Sequence, residues 1–334
     1  MTYTQRKLSY GCSDMVFSPY NEYWRQLRKL CTLELFSLKR TQSFRAVRED
    51  EIALRLDSIA DFYSSSLIVN LSELILALVN DFISRIVFEF QELLATISVV
   101  DFFPRMEWIY KFTVWDSKLE KIFWELDTIY DEDVFVGGTD TFASLIIWAM
   151  TELMRNPSAI RKLQEELRKA IGNKERVEER DLLGLDYMKA IIKETFRMHP
   201  PAPLLVPRET TEEFTLEGYT IPAKAQIFEN ARAIGHPKYW ECPEEFKPER
   251  FLNSPIDYKG KHFELIPFGA GRRGCPGINF ATPTVELTLA NLLHRFDWEL
   301  PPGIGIVDLD MKEAFGMTTH KSIPLCLVAI IPKT

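Results

Sequence analysis

One cysteine in this chain sits where a thiolate ligand could be presented. The stretch Pro267-Phe268-Gly269-Ala270-Gly271-Arg272-Arg273-Gly274-Cys275-Pro276-Gly277 holds Cys275 in a glycine-rich loop just before an apolar helical segment. Gly269, Gly271 and Gly274 let the backbone take positive φ and come close to a flat ligand. Arg273 can face anionic groups. A helix starting near Ile278 aims backbone N–H groups and its positive dipole end at the Cys275 sulfur, which favours the thiolate. For one cysteine taken alone, a structural residue in a turn is the competing reading.

A second group of residues could move protons or bury charge. Gly137-Gly138-Thr139-Asp140-Thr141 interrupts a helical pattern with small residues, then supplies an acid and an alcohol. It reads either as a groove with a proton relay or as an Asp-Thr helix cap after a Gly-Gly turn. Glu194 and Arg197 lie three apart on one helical face and can pair. The same spacing at Glu152/Arg155 and Glu165/Arg168 reads as a solvated face. Trp24 and Arg28 are one helical turn apart. The five histidines, His199, His236, His262, His294 and His320, show no metal-ligand spacing, and each reads as a helix-end or surface residue.

These residues need elements to position them. Apolar residues at helical spacing predict helices over 20–38, 42–63, 67–83, 117–130, 142–155, 158–170, 187–198 and 284–296. Turn signals at Glu217-Gly218 and Pro222 predict hairpin strands over 215–234, and 324–331 reads as a terminal strand. The pattern is mainly helical with a small β portion.

Composition narrows the class. The chain has 334 residues, 46% hydrophobic and 26% charged, as in an ordinary globular protein. Its net charge of −8 argues against nucleic-acid binding. Cys12, Cys31, Cys242, Cys275 and Cys326 are scattered without a C-x-x-C pair, which excludes a disulfide framework and suits a reducing compartment. The apolar run 67–83 contains Asn70, Ser72, Glu73, Asn80 and Asp81, so it reads as a buried helix, and no transmembrane anchor is expected in this chain.

Phe268-x-x-Gly271-x-Arg273-x-Cys275-x-Gly277 resembles the haem-binding loop of the cytochrome P-450 family, with Cys275 as axial iron ligand. Glu194-x-x-Arg197 and Pro248-Glu249-Arg250-Phe251 are similar to that family's E-x-x-R helix and P-E-R-F segment. The resemblance runs from Asp14 to Lys333 and is closest to plant microsomal members. It implies a mainly α fold with small β-sheets (α+β), present here as one incomplete domain over 1–334. A haem-binding core would span 133–334, and a partial N-terminal helical region would span 1–132.

By the same resemblance, Glu194, Arg197 and Arg250 form a buried structural network. Gly138 leaves room beside the iron, and Asp140 and Thr141 deliver protons. Trp24, Arg28, Arg208 and Arg273 meet the haem propionates. Phe268, Gly269 and Gly277 belong to the cofactor loop. The implied function is a haem-thiolate monooxygenase using haem b (iron protoporphyrin IX), O₂ and a small lipophilic substrate such as a plant secondary metabolite. Electrons come from NADPH through NADPH-cytochrome P-450 reductase. The family works at the cytosolic face of the endoplasmic reticulum membrane; without an anchor, this chain is expected in the cytosol.

The sequence departs from the family pattern in places. Two family segments are joined directly near Phe88-Glu89-Phe90-Gln91, and a helix and linker are omitted at Tyr130-Asp131-Glu132-Asp133. Ile234-Gly235-His236-Pro237 is a residue short. Pro283 falls in a helical stretch, and Phe142 stands where a small hydroxyl residue is usual. These departures keep a second reading open: a non-catalytic remnant with weak or no haem binding.

Overall fold

A computed structural model describes residues 14–64, 68–96, 135–232, 237–316 and 318–332. The expected helix 117–130, the junction at 130–133, Cys12, and 234–236 lie outside the described residues.

The chain opens with α1 (Glu22–Leu30), capped by Asn21, whose side chain accepts from the Trp24 amide at 2.8 Å. It continues through a π turn, Cys31–Leu35, rather than as α-helix to residue 38. Helices α2 (Leu38–Ser43), α3 (Arg45–Ser64) and α4 (Leu71–Thr96) follow. The Phe88–Gln91 junction lies within α4, which runs through it as helix.

Helix α5 (Phe135–Arg155) is buried almost all round from Phe142 to Met154, as a central core helix must be. Gly137 and Gly138 are inside it, so the Gly-Gly turn does not occur. Pro157 starts α6 (Pro157–Ile171) at a position where a missing N–H costs nothing. Helix α7 (Asp186–Met198) stops at His199, ahead of two prolines. Helix α8 (Ile278–Arg295) runs through Pro283 and starts six residues earlier than the expected 284. The proline cannot donate to the Asn279 carbonyl, but Phe280, Ala281 and Val285 are buried on either side and hold the helix together.

The β portion is small. Strand β9 (Cys326–Ile330) pairs antiparallel with both β1 (Val69–Asn70) and β6 (Asp297–Glu299). Three two-stranded ladders complete it: β2 (Arg208–Glu209) with β5 (Gln226–Ile227), β3 (Phe214–Leu216) with β4 (Tyr219–Ile221), and β7 (Glu313–Phe315) with β8 (Thr319–Lys321). The expected hairpin region is therefore two ladders ending at Ile227. One continuous apolar cluster runs from Met15 to Ala329 and takes in all the long helices. Among the described residues, no helix is long and apolar enough to cross a membrane.

Candidate functional site: a cavity with a thiol and three guanidiniums

The loop before α8 is folded back on itself. The Cys275 amide donates to the Phe268 carbonyl at 2.8 Å, and the Gly274 amide to Gly271 at 3.2 Å. Gly269 and Gly271 take φ of 68°, where only glycine is unstrained. Gly274 does not: its φ is −55°. Nor does space demand glycine there: a Cβ would sit 3.4 Å from the Gly271 carbonyl oxygen, an ordinary contact. Phe268 anchors the loop by packing on Phe196 and Tyr258, with ring centroids at 5.1 and 5.8 Å.

This folding turns the Cys275 thiol into a cavity of about 280 Å³. The thiol is exposed by surface area and yet deep inside the protein, since what it is exposed to is the cavity. Burial pushes its pKa up, while the Gly277 amide and the Arg28 charge pull the other way. Gly277 caps α8, so the N-terminal end of that helix faces the sulfur.

Arg28, Arg208 and Arg273 line the same cavity. Arg28 donates to the Gly274 carbonyl, Arg273 to Ser18 at 2.8 Å, and Arg208 to Val16 at 3.3 Å and to Arg273 at 3.4 Å. All these acceptors are backbone carbonyls. Among the described residues, none of the three arginines has a carboxylate at ion-pair distance. Burial and the two neighbouring guanidiniums bring the pKa of Arg273 down to about 10. Burial also lowers those of Arg28 and Arg208. The three guanidiniums outnumber the acids that act on them, Glu229 of the cavity lining on Arg208 and Asp14 on Arg273, and this excess of positive charge suits a ligand that carries more than one negative charge.

Trp24 does not line the cavity. Its indole N–H is committed to the Met15 carbonyl at 2.9 Å. Its ring is instead a platform for Arg273, whose guanidinium carbon lies 4.0 Å from the ring centroid.

Helix α5 forms another wall. Gly138, Thr141 and Phe142 line the cavity; Asp140 is exposed and does not. The Thr141 hydroxyl donates to the Gly137 carbonyl one turn back at 2.6 Å. A Cβ on Gly138 would meet Ile83 Cδ1 at 2.6 Å, so this glycine also lets α4 approach α5. Gly138→Val should therefore lower stability by about 1–3 kcal/mol through overpacking. Ile83→Val, which deletes the clashing methyl, should recover part of the loss. An unchanged denaturation midpoint in Gly138→Val would show that the helices part freely.

Glu194 is fully buried and ties α7 to the 247–250 segment. It accepts from Arg197 at 2.7 and 2.8 Å, from Arg250 at 3.0 Å and from the Lys247 amide at 2.9 Å. The Trp240 ring lies near both guanidiniums, at 5.7 and 5.8 Å. The three residues expected to form a network are thus in contact.

Sequence reasoning missed two features. Phe36 and Phe280 line the cavity, and Phe280 gathers the rings of Phe36, Phe44, Phe82 and Phe142 around it. Its place in the apolar run after the cysteine loop was the available signal. Glu152 is not on a solvated face; it is buried and bonded to His199, itself a helix-end residue but buried. Glu165/Arg168 is exposed, as expected.

The family model "Cytochrome P-450" matches residues 130–326. Cytochrome P-450 71A9 of Glycine max is 47% identical over 395 aligned positions, covering 98% of this chain and 78% of that protein. Strychnine-11-hydroxylase of Strychnos nux-vomica is 43% identical, covering 98% and 77%. A solved zebrafish cytochrome P-450 with progesterone superposes with a TM-score of 0.77 at 21% identity, covering 99% of this chain and 87% of that one. The first alignment is longer than the 334 residues of the chain, so that relative contains segments this chain lacks.

Proposed function

Because the chain belongs to the cytochrome P-450 family and is a plant-type monooxygenase, we propose that it hydroxylates a small lipophilic secondary metabolite bound above the Cys275 thiol. We further propose haem b as the cofactor, with electrons from NADPH by way of the NADPH-dependent reductase, at the cytosolic face of the endoplasmic reticulum. The observation that carries this reading is one cavity holding both the Cys275 thiol and three arginines, none with a carboxylate at ion-pair distance among the described residues. An iron porphyrin with two propionates fits that donor set: Cys275 would supply one soft sulfur ligand, and the three arginines would meet the propionates. The bulk of the wall is apolar, formed by Phe36, Phe142, Leu145, Leu205 and Phe280, which supports a lipophilic substrate. The name of the strychnine-hydroxylating relative makes an alkaloid one candidate class. The unbroken apolar cluster supports treating 1–334 as one domain, with its core and N-terminal regions packed together.

When bound, haem supplies the oxygen activation and one-electron chemistry. The chain's own residues do the rest. Cys275 would hold the iron through its sulfur, and the Gly277 amide would steady the thiolate charge. Arg28, Arg208 and Arg273 would hold the propionates, with Trp24 fixing Arg273 in place. Gly138 and Ile83 set the spacing of the distal wall. Thr141 passes a proton at its hydroxyl, and Asp140, on the solvent side of the same turn, resupplies it. Phe142 and Phe280 keep water from the reacting carbon.

The test is the difference spectrum of the ferrous–CO form, followed by turnover with reductase and a panel of lipophilic substrates. A thiolate-type band with product formation is the expected result. No such band at saturating haem would favour the non-catalytic remnant. The segments missing relative to the longer aligned protein predict a further outcome. With the connection before α5 shortened, NADPH consumption should exceed product formation severalfold, because water reaches the distal pocket. Tight coupling would refute this.

A further inference from the structure

Close to the cavity, but outside it, lies a buried charged cluster that the proposed chemistry does not use. His199 ends α7 and is 9% exposed. Its ring stacks on Trp148 of α5 with centroids 4.0 Å apart and planes within 3°. Nε2 lies 2.8 Å from Glu152 of α5, a hydrogen bond. Nδ1 lies 3.5 Å from Glu313 of β7, an ion-pair distance. Glu313 in turn pairs with Arg232. One imidazole therefore touches the central helix and the β7–β8 hairpin at once, from the residue that caps the C-terminal end of α7.

Two further bonds join the same pieces. The Ser144 hydroxyl of α5 donates to the Thr319 carbonyl of β8 at 2.8 Å, and the Thr319 amide donates to the Pro201 carbonyl at 2.8 Å. Pro201, Ala202 and Leu205, just after His199, are cavity wall. Thr141, on the cavity side of α5, is about three turns from Glu152.

We propose that His199 is a positioning residue: as an imidazolium held between Glu152 and Glu313, it fixes the β7–β8 hairpin and the 201–205 cavity wall against the helix that carries Thr141. The role assigned to that wall rests on the proposed function. The charge balance explains the arrangement. Glu152 and Glu313 are two carboxylates, and Arg232, half exposed, compensates only one of them. A neutral imidazole would leave a buried carboxylate uncompensated, which is costly. Among the described residues, the charged groups facing His199 are Glu152 from α5 and Glu313 from β7, with Arg232 behind the latter.

Burial alone would push the His199 pKa down. The hydrogen bond to Glu152 and the charges of Glu152 and Glu313 outweigh it and hold the value above the ordinary one, which is about 6.5. Glu313 is held low by His199 and Arg232 against its own burial. A raised pKa in the folded state means that the stabilisation is complete below the ordinary value. It is lost as pH rises through the raised one.

Hydrogen–deuterium exchange of the full chain, with and without haem, tests this across about pH 6 to pH 9, with rates corrected for intrinsic pH dependence. Amides of 313–321 and 202–205 should lose protection by about tenfold or more on the alkaline side. Those of α6 should hold theirs. His199→Gln should be poorly protected at both ends of the range, with no transition. Should that variant fail to fold, Glu313→Gln keeps the shape and removes one charge, so its transition should move to lower pH. The proposal is overturned if wild-type hairpin protection tracks α6 with no transition, or if Glu313→Gln leaves the transition where it was. The exchange readout needs no haem. A chain that failed to take up haem would therefore sink the proposed function and still decide this one.

Discussion

Cys275→Ala should leave a folded chain that has lost the thiolate-type ferrous–CO band completely. The reason is the direction of the side chain. Its sulfur points into the cavity, so removing it deletes no core packing. The loop keeps its shape through backbone bonds, Cys275 to Phe268 and Gly274 to Gly271, and through the positive φ of Gly269 and Gly271. The three arginines also remain, so some haem should still bind through its propionates, without the thiolate's electronic signature. Far-UV circular dichroism and the unfolding midpoint of the haem-free variant should match wild type. The other described cysteines make useful controls: Cys31 is buried in the core, and Cys242 and Cys326 do not line the cavity. Serine at 242 or 326 should preserve the band. Survival of the band in Cys275→Ala would mean that another residue holds the iron.

Glu194→Ala is expected to be the most damaging single change to the fold. Glu194 is 0% exposed and is the acceptor for two guanidiniums and one backbone amide. Its removal leaves Arg197 and Arg250 buried, close together and without their carboxylate. Breaking a buried pair in this way costs roughly 3–5 kcal/mol, against a total domain stability of about 5–15 kcal/mol. Carbonyls of Glu241, Cys242 and Glu245 already bond the guanidiniums and soften the loss without replacing a charge. Expression of Glu194→Ala should therefore give aggregated, haem-free protein. Glu194→Gln keeps the shape and part of the hydrogen bonding, so it should fall between the two. Normal haem content and an unchanged urea midpoint in Glu194→Ala would remove this network from the account of stability.

The two variants separate different kinds of information. The Glu194–Arg197 pair was legible in the sequence because a three-residue spacing on a helix lets side chains meet and its context resembles the family's E-x-x-R helix; the same spacing at Glu152/Arg155 gave no pair. The Cys275 loop was legible for a similar reason: glycines, one cysteine and a helix start within eleven residues define a local geometry. Hydrophobic periodicity located the described long helices, because burying a face imposes a period of 3.6, but not all their ends: the helix expected over 67–83 runs to Thr96, and the one expected from 142 starts at Phe135.

What escaped the sequence was set by residues far apart along the chain. Gly137 and Gly138 could have formed a turn; they are helical because α5 is core on nearly every side and Ile83 fills the notch left at Gly138. Glu152 had the spacing of a surface ion pair with Arg155, yet it faces inward to a histidine 47 residues later. His199 alone looked like an ordinary helix end; its two carboxylates come from α5 and β7. Trp24 and Arg28 were expected to act alike because they share a helix face. Packing turned one toward Met15 and the other toward the cavity. Local spacing determines which side chains can meet within one element. Which charges are left without partners, and which cavity they face, is decided only when separate elements pack and exclude water between them. At that point an unpaired buried cation or carboxylate acquires its cost and its use.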